Sequence, residues 1–142
     1  MKKPNSFTLI EILVVVTIIS LLTAGGISSY VNFNKQSRDA RRKADLEQIR
    51  AALEMYKSNS SVSSYPVNAT TSLAPTYIKS YPTDPKDSVA YLYIPLTSAG
   101  ATCTVEPCPN YQLSASLEAS GSQYQVNPYG GSTITNTPIP AP

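Results

Sequence analysis

The hydrophobic and polar positions of this chain change regime twice. From Phe7 to Ile27, FTLIEILVVVTIISLLTAGGI, 21 residues run apolar with one charge, Glu11. A helix needs about 20 residues to cross a hydrocarbon core of about 30 Å, so this stretch predicts a membrane segment. From Asn32 to Lys57 the pattern turns amphipathic. Leu46, Ile49, Leu53 and Tyr56 recur at spacings of three, four and three, flanked by Ala40, Ala44, Ala51, Ala52 and Met55. Lys35 and Asp39, Asp39 and Lys43, Arg41 and Asp45, and Arg50 and Glu54 stand four apart. Each is expected to pair on a solvated face for a few tenths of a kcal/mol. No proline interrupts Phe7 to Lys57. One helix of 51 residues, about 75 Å long at 1.5 Å per residue, is therefore predicted, its first half apolar and its second half-buried.

Past the helix the period shortens to two. Ser58 to Ser64 has turn-forming chemistry, and Tyr65-Pro66 opens an irregular linker reaching about Ser88. Ala90 to Pro95 is rich in β-formers, Tyr111 to Glu118 alternates apolar with polar, and Gln123 to Asn127 alternates around Tyr124 and Val126. With a hairpin at Ala119 to Ser122, containing Gly121, these predict an antiparallel meander of about three strands. Its apolar face packs on Leu46, Ile49, Leu53 and Tyr56. The loop Thr97 to Asn110 lies at the rim, and Pro128 to Pro142, rich in Gly, Thr and Pro, is expected to be a poorly ordered tail. The fold class is α+β. The organisation is a leader at 1–6, a membrane half-helix at 7–30, an amphipathic half at 31–57, a head at 58–127 and a tail at 128–142.

Composition narrows the function. Beyond the membrane segment, the first 30 or so positions, roughly 110 of the 142 residues remain, enough for one small head. The 11 basic residues, less Lys2 and Lys3, balance the 9 acidic ones, which argues against a strong nucleic-acid footprint. Ser, Thr, Asn, Pro and 10 Tyr suggest a hydroxyl-rich exposed surface. There is no His, the commonest general base, and two Cys are too few for a four-ligand zinc site. No enzyme, cofactor or metal is expected. Cys103 and Cys108 enclose TVEP, and outside the cytoplasm a short-loop disulfide is favoured over two free thiols. Lys2 and Lys3 before the apolar run keep the N-terminus in the cytoplasm by the positive-inside bias.

Glu11 is the anomaly. A carboxylate in an apolar segment costs about 2.5 to 3.5 kcal/mol on insertion scales and survives with a partner. The next basic residue, Lys35, is 24 positions on, about 36 Å along a helix. If the chain were cut before Phe7, the new α-amino group would lie at the depth of Glu11. An amine and a carboxylate four residues apart can pair between staggered copies, which makes a polymer.

Ser6-Phe7-Thr8-Leu9-Ile10-Glu11-Ile12-Leu13-Val14, behind a basic leader, resembles the processing motif of type IV pilins and pseudopilins. Ser6 stands where that family has Gly. The resemblance implies a membrane prepilin peptidase that cuts between Ser6 and Phe7 and N-methylates Phe7, with Glu11 aligning the subunit during assembly. ARRKADLEQIRAALEMYKSN resembles the second helical half of bacterial pilins, and YIKSYPTDP, Tyr77 to Pro85, the passage before their first strand. The implied fold is the pilin fold. The implied partners are further copies in a helical filament, the peptidase, a pilus assembly platform, and the bacterial cytoplasmic membrane before assembly. After assembly the subunit is an extracellular filament at the cell surface. Asp84, Asp87, Glu106 and Glu118 form no dense oxygen-ligand loop, which favours a pilus subunit over a secretion pseudopilin.

Several readings compete. A pseudopilin of a type II secretion or DNA-uptake machine has the same architecture, and only the DNA-uptake case gives nucleic acid a role. A secretory signal peptide cut near Ala24 to Gly26 fits the basic and apolar order but not Glu11. A single-pass anchored surface protein with a binding or enzymatic head also leaves Glu11 unexplained. The basic run Arg38, Arg41, Arg42, Lys43 is interleaved with Asp39, Asp45 and Glu47, and reads as a solvated face or a site for interhelix ion pairs and lipid headgroups rather than a nucleic-acid patch. Gly25 and Gly26 suit close helix packing, or a segment that extends locally.

Overall fold

The computed structural model describes residues 7–129 and 132–135. Helix α1 runs Leu9–Asn59, α2 Ala69–Leu73, and strands β1 to β4 run Leu92–Leu96, Asn110–Ser116, Gln123–Val126 and Ser132–Thr135. The chain forms two compact units, Met1–Lys35 and Gln36–Pro142. In the first, every described side chain from Phe7 to Thr23 is exposed. This is the helix long and apolar enough to cross a membrane. The leader 1–6 lies outside the described residues, and the backbone at Gly25 and Gly26 is helical.

In the second unit the three-four spacing does what it predicts. Leu46, Ile49, Ala52 and Leu53 are all 0% exposed and share one core with Leu73, Leu113, Ala115 and Val126. Each large aliphatic buried this way contributes about 1.5 to 3 kcal/mol of transfer free energy. The sheet order is β1-β2-β3-β4, antiparallel throughout. Its register sets Tyr93 opposite Leu113 and Leu113 opposite Val126 on the face toward the helix. The three expected strands are present with ends shifted by one or two residues. A fourth, β4, pairs with β3 inside the stretch expected to be a tail. Thr133, Ile134 and Thr135, all β-branched, suit a strand even in a Gly- and Pro-rich context. The rest of that tail, 136–142, lies outside the described residues.

Two further expectations are corrected. The irregular linker contains α2, whose N-terminal Asn68 accepts hydrogen bonds from the Thr70 and Thr71 amides and whose Ala69 and Leu73 are buried. Five residues are too few to register as a period. The tyrosines are core rather than surface. Tyr65, Tyr91 and Tyr111 are buried, and Tyr56, Tyr77, Tyr81, Tyr93 and Tyr124 pack against them, leaving Tyr30 and Tyr129 exposed. A head without Trp draws its aromatic area from Tyr. Tyr65 and Tyr111 meet edge to face at 4.6 Å. Three of the hydroxyls find partners: Tyr65 donates to Glu54 and Tyr91 to Asp45, both at 2.8 Å, and Tyr93 to the Pro66 carbonyl at 2.6 Å.

Cys103 and Cys108 form a disulfide. Its loop is tied at both ends. The Cys103 amide donates to the Pro95 carbonyl on β1 at 2.8 Å, and the Tyr65 amide donates to the Cys108 carbonyl at 2.9 Å.

Candidate processing and assembly site

The residues from Phe7 to Glu11 make the start of α1. Thr8 caps it: the Glu11 amide donates to the Thr8 carbonyl at 3.1 Å and to Thr8 Oγ1 at 3.3 Å. Thr8-Leu9-Ile10-Glu11 has the spacing of a capping box, a signal present in the sequence that periodicity alone does not reveal. Glu11 sits in the first turn, where a negative charge is favoured by the helix dipole. Phe7 precedes the cap and is 76% exposed. A cut before Phe7 would therefore leave the cap intact, because neither of its partners lies upstream. Ser6, the other side of that bond, lies outside the described residues.

The helix that follows is built for an apolar medium. Leu9, Ile10, Ile12, Leu13, Val14, Val15, Val16, Ile18, Ile19, Leu21 and Leu22 are each at least 47% exposed, so no flank of the segment is covered within the described residues. Its three hydroxyls are satisfied internally: Thr17 donates to the Val14 carbonyl, Ser20 to Val16 and Thr23 to Ile19, at 2.7 to 2.8 Å. Back-bonding of this kind leaves no unpaired donor for lipid or a neighbouring helix to meet. Glu11 differs. Among the described residues no basic side chain lies within salt-bridge distance of it.

The charges of the head unit are arranged otherwise than the four-residue spacing suggests. Arg42, with a side chain 3% exposed, reaches Asp84 through two bonds of 2.6 and 2.9 Å, Asp39 at 2.7 Å and Glu118 at 2.8 Å. Arg38 grips Glu118 through a second fork of 2.8 and 2.7 Å. Asp39 accepts in addition from the amides of Glu118 and Ala119 at 2.9 and 2.8 Å. Thus α1, the turn at Asp84 and the turn between β2 and β3 meet at one ionic cluster. The basic run is only partly a solvated face, since Arg42 is interior. The Arg50 guanidinium pairs with Glu47 at 2.9 Å rather than with Glu54.

These contacts set the ionisation. The Arg42 bonds hold the Asp84 carboxyl down at about 2, aided by the Lys86 and Asp87 amides. The Arg38 fork, with Arg42, likewise lowers Glu118 to about 2. Burial pushes Asp39 up, but the two amides and Arg42 outweigh it and keep it below the ordinary aspartate value. Every member of the cluster is ionised and engaged, so it is a clamp, with no free base or nucleophile. Cys103 and Cys108, the remaining sequence-predicted pair, are joined in this same unit, and both are buried rather than at its rim.

No curated protein and no solved structure matches the chain. A family model, Prokaryotic N-terminal methylation motif, matches residues 1–27. Those residues include the leader, Phe7, the Thr8 cap, Glu11 and the apolar helix whose geometry is given above. Over residues 1–27 the chain thus carries the signature of type IV pilin and pseudopilin precursors, the substrates of prepilin peptidases.

Proposed function

We propose that the chain is a structural, non-enzymatic subunit of a type IV pilus-like helical filament, polymerised through its N-terminal helix. The leader is cut between Ser6 and Phe7, the new amine is methylated, and Glu11 then pairs with the Phe7 amine of a neighbouring copy. The observation that carries this reading is a carboxylate with no cation in reach among the described residues, in an apolar helix whose described side chains are exposed on all sides. That surface needs a cover, and the bilayer serves before assembly as other copies do after it. Within a low-dielectric bundle an unpaired Glu11 is costly, so the pair also selects the stagger between subunits. The N-terminus lies in the cytoplasm and the head outside, where the Cys103–Cys108 disulfide is at home. Prepilin peptidase and an assembly platform in the membrane are the required partners.

Glu11→Ala as the sole copy in the producing cell is the test. Insertion into the membrane should be unchanged or improved while incorporation into sheared surface filaments fails. Wild-type polymerisation by that variant removes the role of Glu11. A bulky residue at Ser6 should give the same loss, because Phe7 then keeps an amide where an amine is required.

A further inference from the structure

Two Asn-x-Ser/Thr triplets lie in the chain, Asn59-Ser60-Ser61 and Asn68-Ala69-Thr70. Neither is used by the processing and assembly reading above. They differ in setting. Asn59 is the last residue of α1, and the Ser60 amide is still tied to the Tyr56 carbonyl at 2.9 Å, so a transferase would have to fray the helix end to draw this triplet out. Asn68 is already extended, with φ −128 and ψ 108. Asn68 and Thr70 are both exposed. The Thr70 hydroxyl donates to Asn68 Oδ1 at 2.7 Å and the Thr70 amide to the same oxygen at 3.1 Å. All of the bonds made by the Asn68 side chain fall on its oxygen, and Nδ2 makes none within the described residues.

We propose that Asn68 is a glycosylation acceptor, receiving an oligosaccharide on Nδ2 from a polyprenyl-diphosphate-linked donor. In the transfer the Nδ2–C1 bond forms as the C1–O bond to the diphosphate breaks. The diphosphate leaves with the electron pair of that bond, and Nδ2 gives up one proton to the transferase. Donors on Oδ1 draw the amide electrons toward oxygen and make that proton easier to lose. The hydroxyl that the triplet requires is thus already on the acceptor side chain. The fold tolerates the product, because Oδ1 remains free to accept from the amides at the start of α2. Asn68 also lines an open groove of about 480 Å³ with Val67, Val89 and Leu92. Those three apolar side chains are 37%, 63% and 37% exposed. A glycan at Asn68 covers a greasy patch of the head that nothing else on the described chain covers.

The inference rests on the outward placement of the head, and the disulfide reports that placement separately. The measurement is mass spectrometry of proteolytic fragments of the full chain, purified unreduced from the cells that make it. The Asn68 fragment should carry a whole number of sugar residues and the Asn59 fragment none. Thr70→Ala should abolish the modification and Thr70→Ser retain it; loss of the sugar with Thr70→Ser as well overturns the requirement for the hydroxyl. Bare Asn68 beside oxidised Cys103 and Cys108 overturns the acceptor assignment alone. Bare Asn68 beside two free thiols overturns the outward placement and the assignment with it. Sugar on Asn59 in place of Asn68 overturns the geometric argument.

Discussion

Replacing Arg42 with Met keeps most of the buried stem of the side chain and deletes its charge, which isolates the ionic clamp. In the native head Arg42 makes contacts of 2.6 to 2.9 Å to Asp84, Asp39 and Glu118. Without it three carboxylates face one another with Arg38 alone to balance them. Breaking a buried ion pair by removing one partner costs about 3 to 5 kcal/mol. The Asp84 and Glu118 side chains are 18% and 17% exposed, so water recovers part of the loss. About 3 kcal/mol is therefore expected, which at roughly 4 °C per kcal/mol lowers the head's melting temperature by about 12 °C. Arg38, a third exposed and gripping Glu118 alone among the carboxylates, should cost far less than Arg42 when changed to Met, because water screens it. Acid provides a second readout. A carboxyl held at about 2 when folded and 3.8 when unfolded stabilises the fold above pH 3.8, and that contribution fades as pH falls toward 2. For Asp84 it amounts to about 2 kcal/mol, and Arg42→Met should flatten the acid limb of the stability curve. The assay is thermal unfolding of the full chain in micelles, followed by near-ultraviolet circular dichroism, which reads tyrosine packing. A loss under about 1 kcal/mol, or an acid limb as steep as that of the native protein, refutes the clamp.

Further outcomes follow from single contacts. Tyr65→Phe removes the hydroxyl bonded to Glu54 at 2.8 Å and should destabilise by about 1 kcal/mol, whereas Tyr111→Phe deletes a buried hydroxyl without a hydrogen-bond partner and should be neutral or stabilising. Paired urea titrations decide between them. Leu53→Ala, at a 0% exposed site, should cost about 2 to 5 kcal/mol in the same titration. Changing Cys103 and Cys108 to Ser together should cost about 2 kcal/mol by the loop-closure argument and raise amide exchange at Cys103 and Tyr65, whose amides bond across the loop's two ends.

What the sequence discloses depends on how local the cause is. The core face of α1 is legible because Leu46, Ile49 and Leu53 repeat at the helical period, and the strands because Tyr111 to Leu117 alternate. The disulfide is legible because five residues separate its ends. The clamp is not. Apart from the bond between Arg42 and Asp39, three residues away, its bonds span 42 to 80 residues; Arg42 stands four before Leu46 on the buried stripe and Arg41 does not, but no local pattern names Asp84 or Glu118. The one available signal is scarcity: Asp84 and Glu118 are two of only four carboxylates beyond the helix, and in a charge-poor head each demands a partner. The tyrosines mislead because their hydroxyls suggest water, although in a small domain the ring is buried and the hydroxyl either finds a partner, as in Tyr65, Tyr91 and Tyr93, or is buried with it, as in Tyr81 and Tyr111. At the N-terminus the order of residue types is what singles out Phe7 and Glu11 for the proposal, and the structure adds the Thr8 cap.

On the proposed function Phe7 becomes a free, methylated N-terminus whose amine meets Glu11 of another copy. Mass spectrometry of the mature subunit taken from filaments or membranes tests it most directly. The mature chain should lack residues 1–6 and begin with N-methyl-Phe7. A chain that keeps its leader, or one that begins near Ala24 to Gly26 as a cut signal peptide would leave it, contradicts the account.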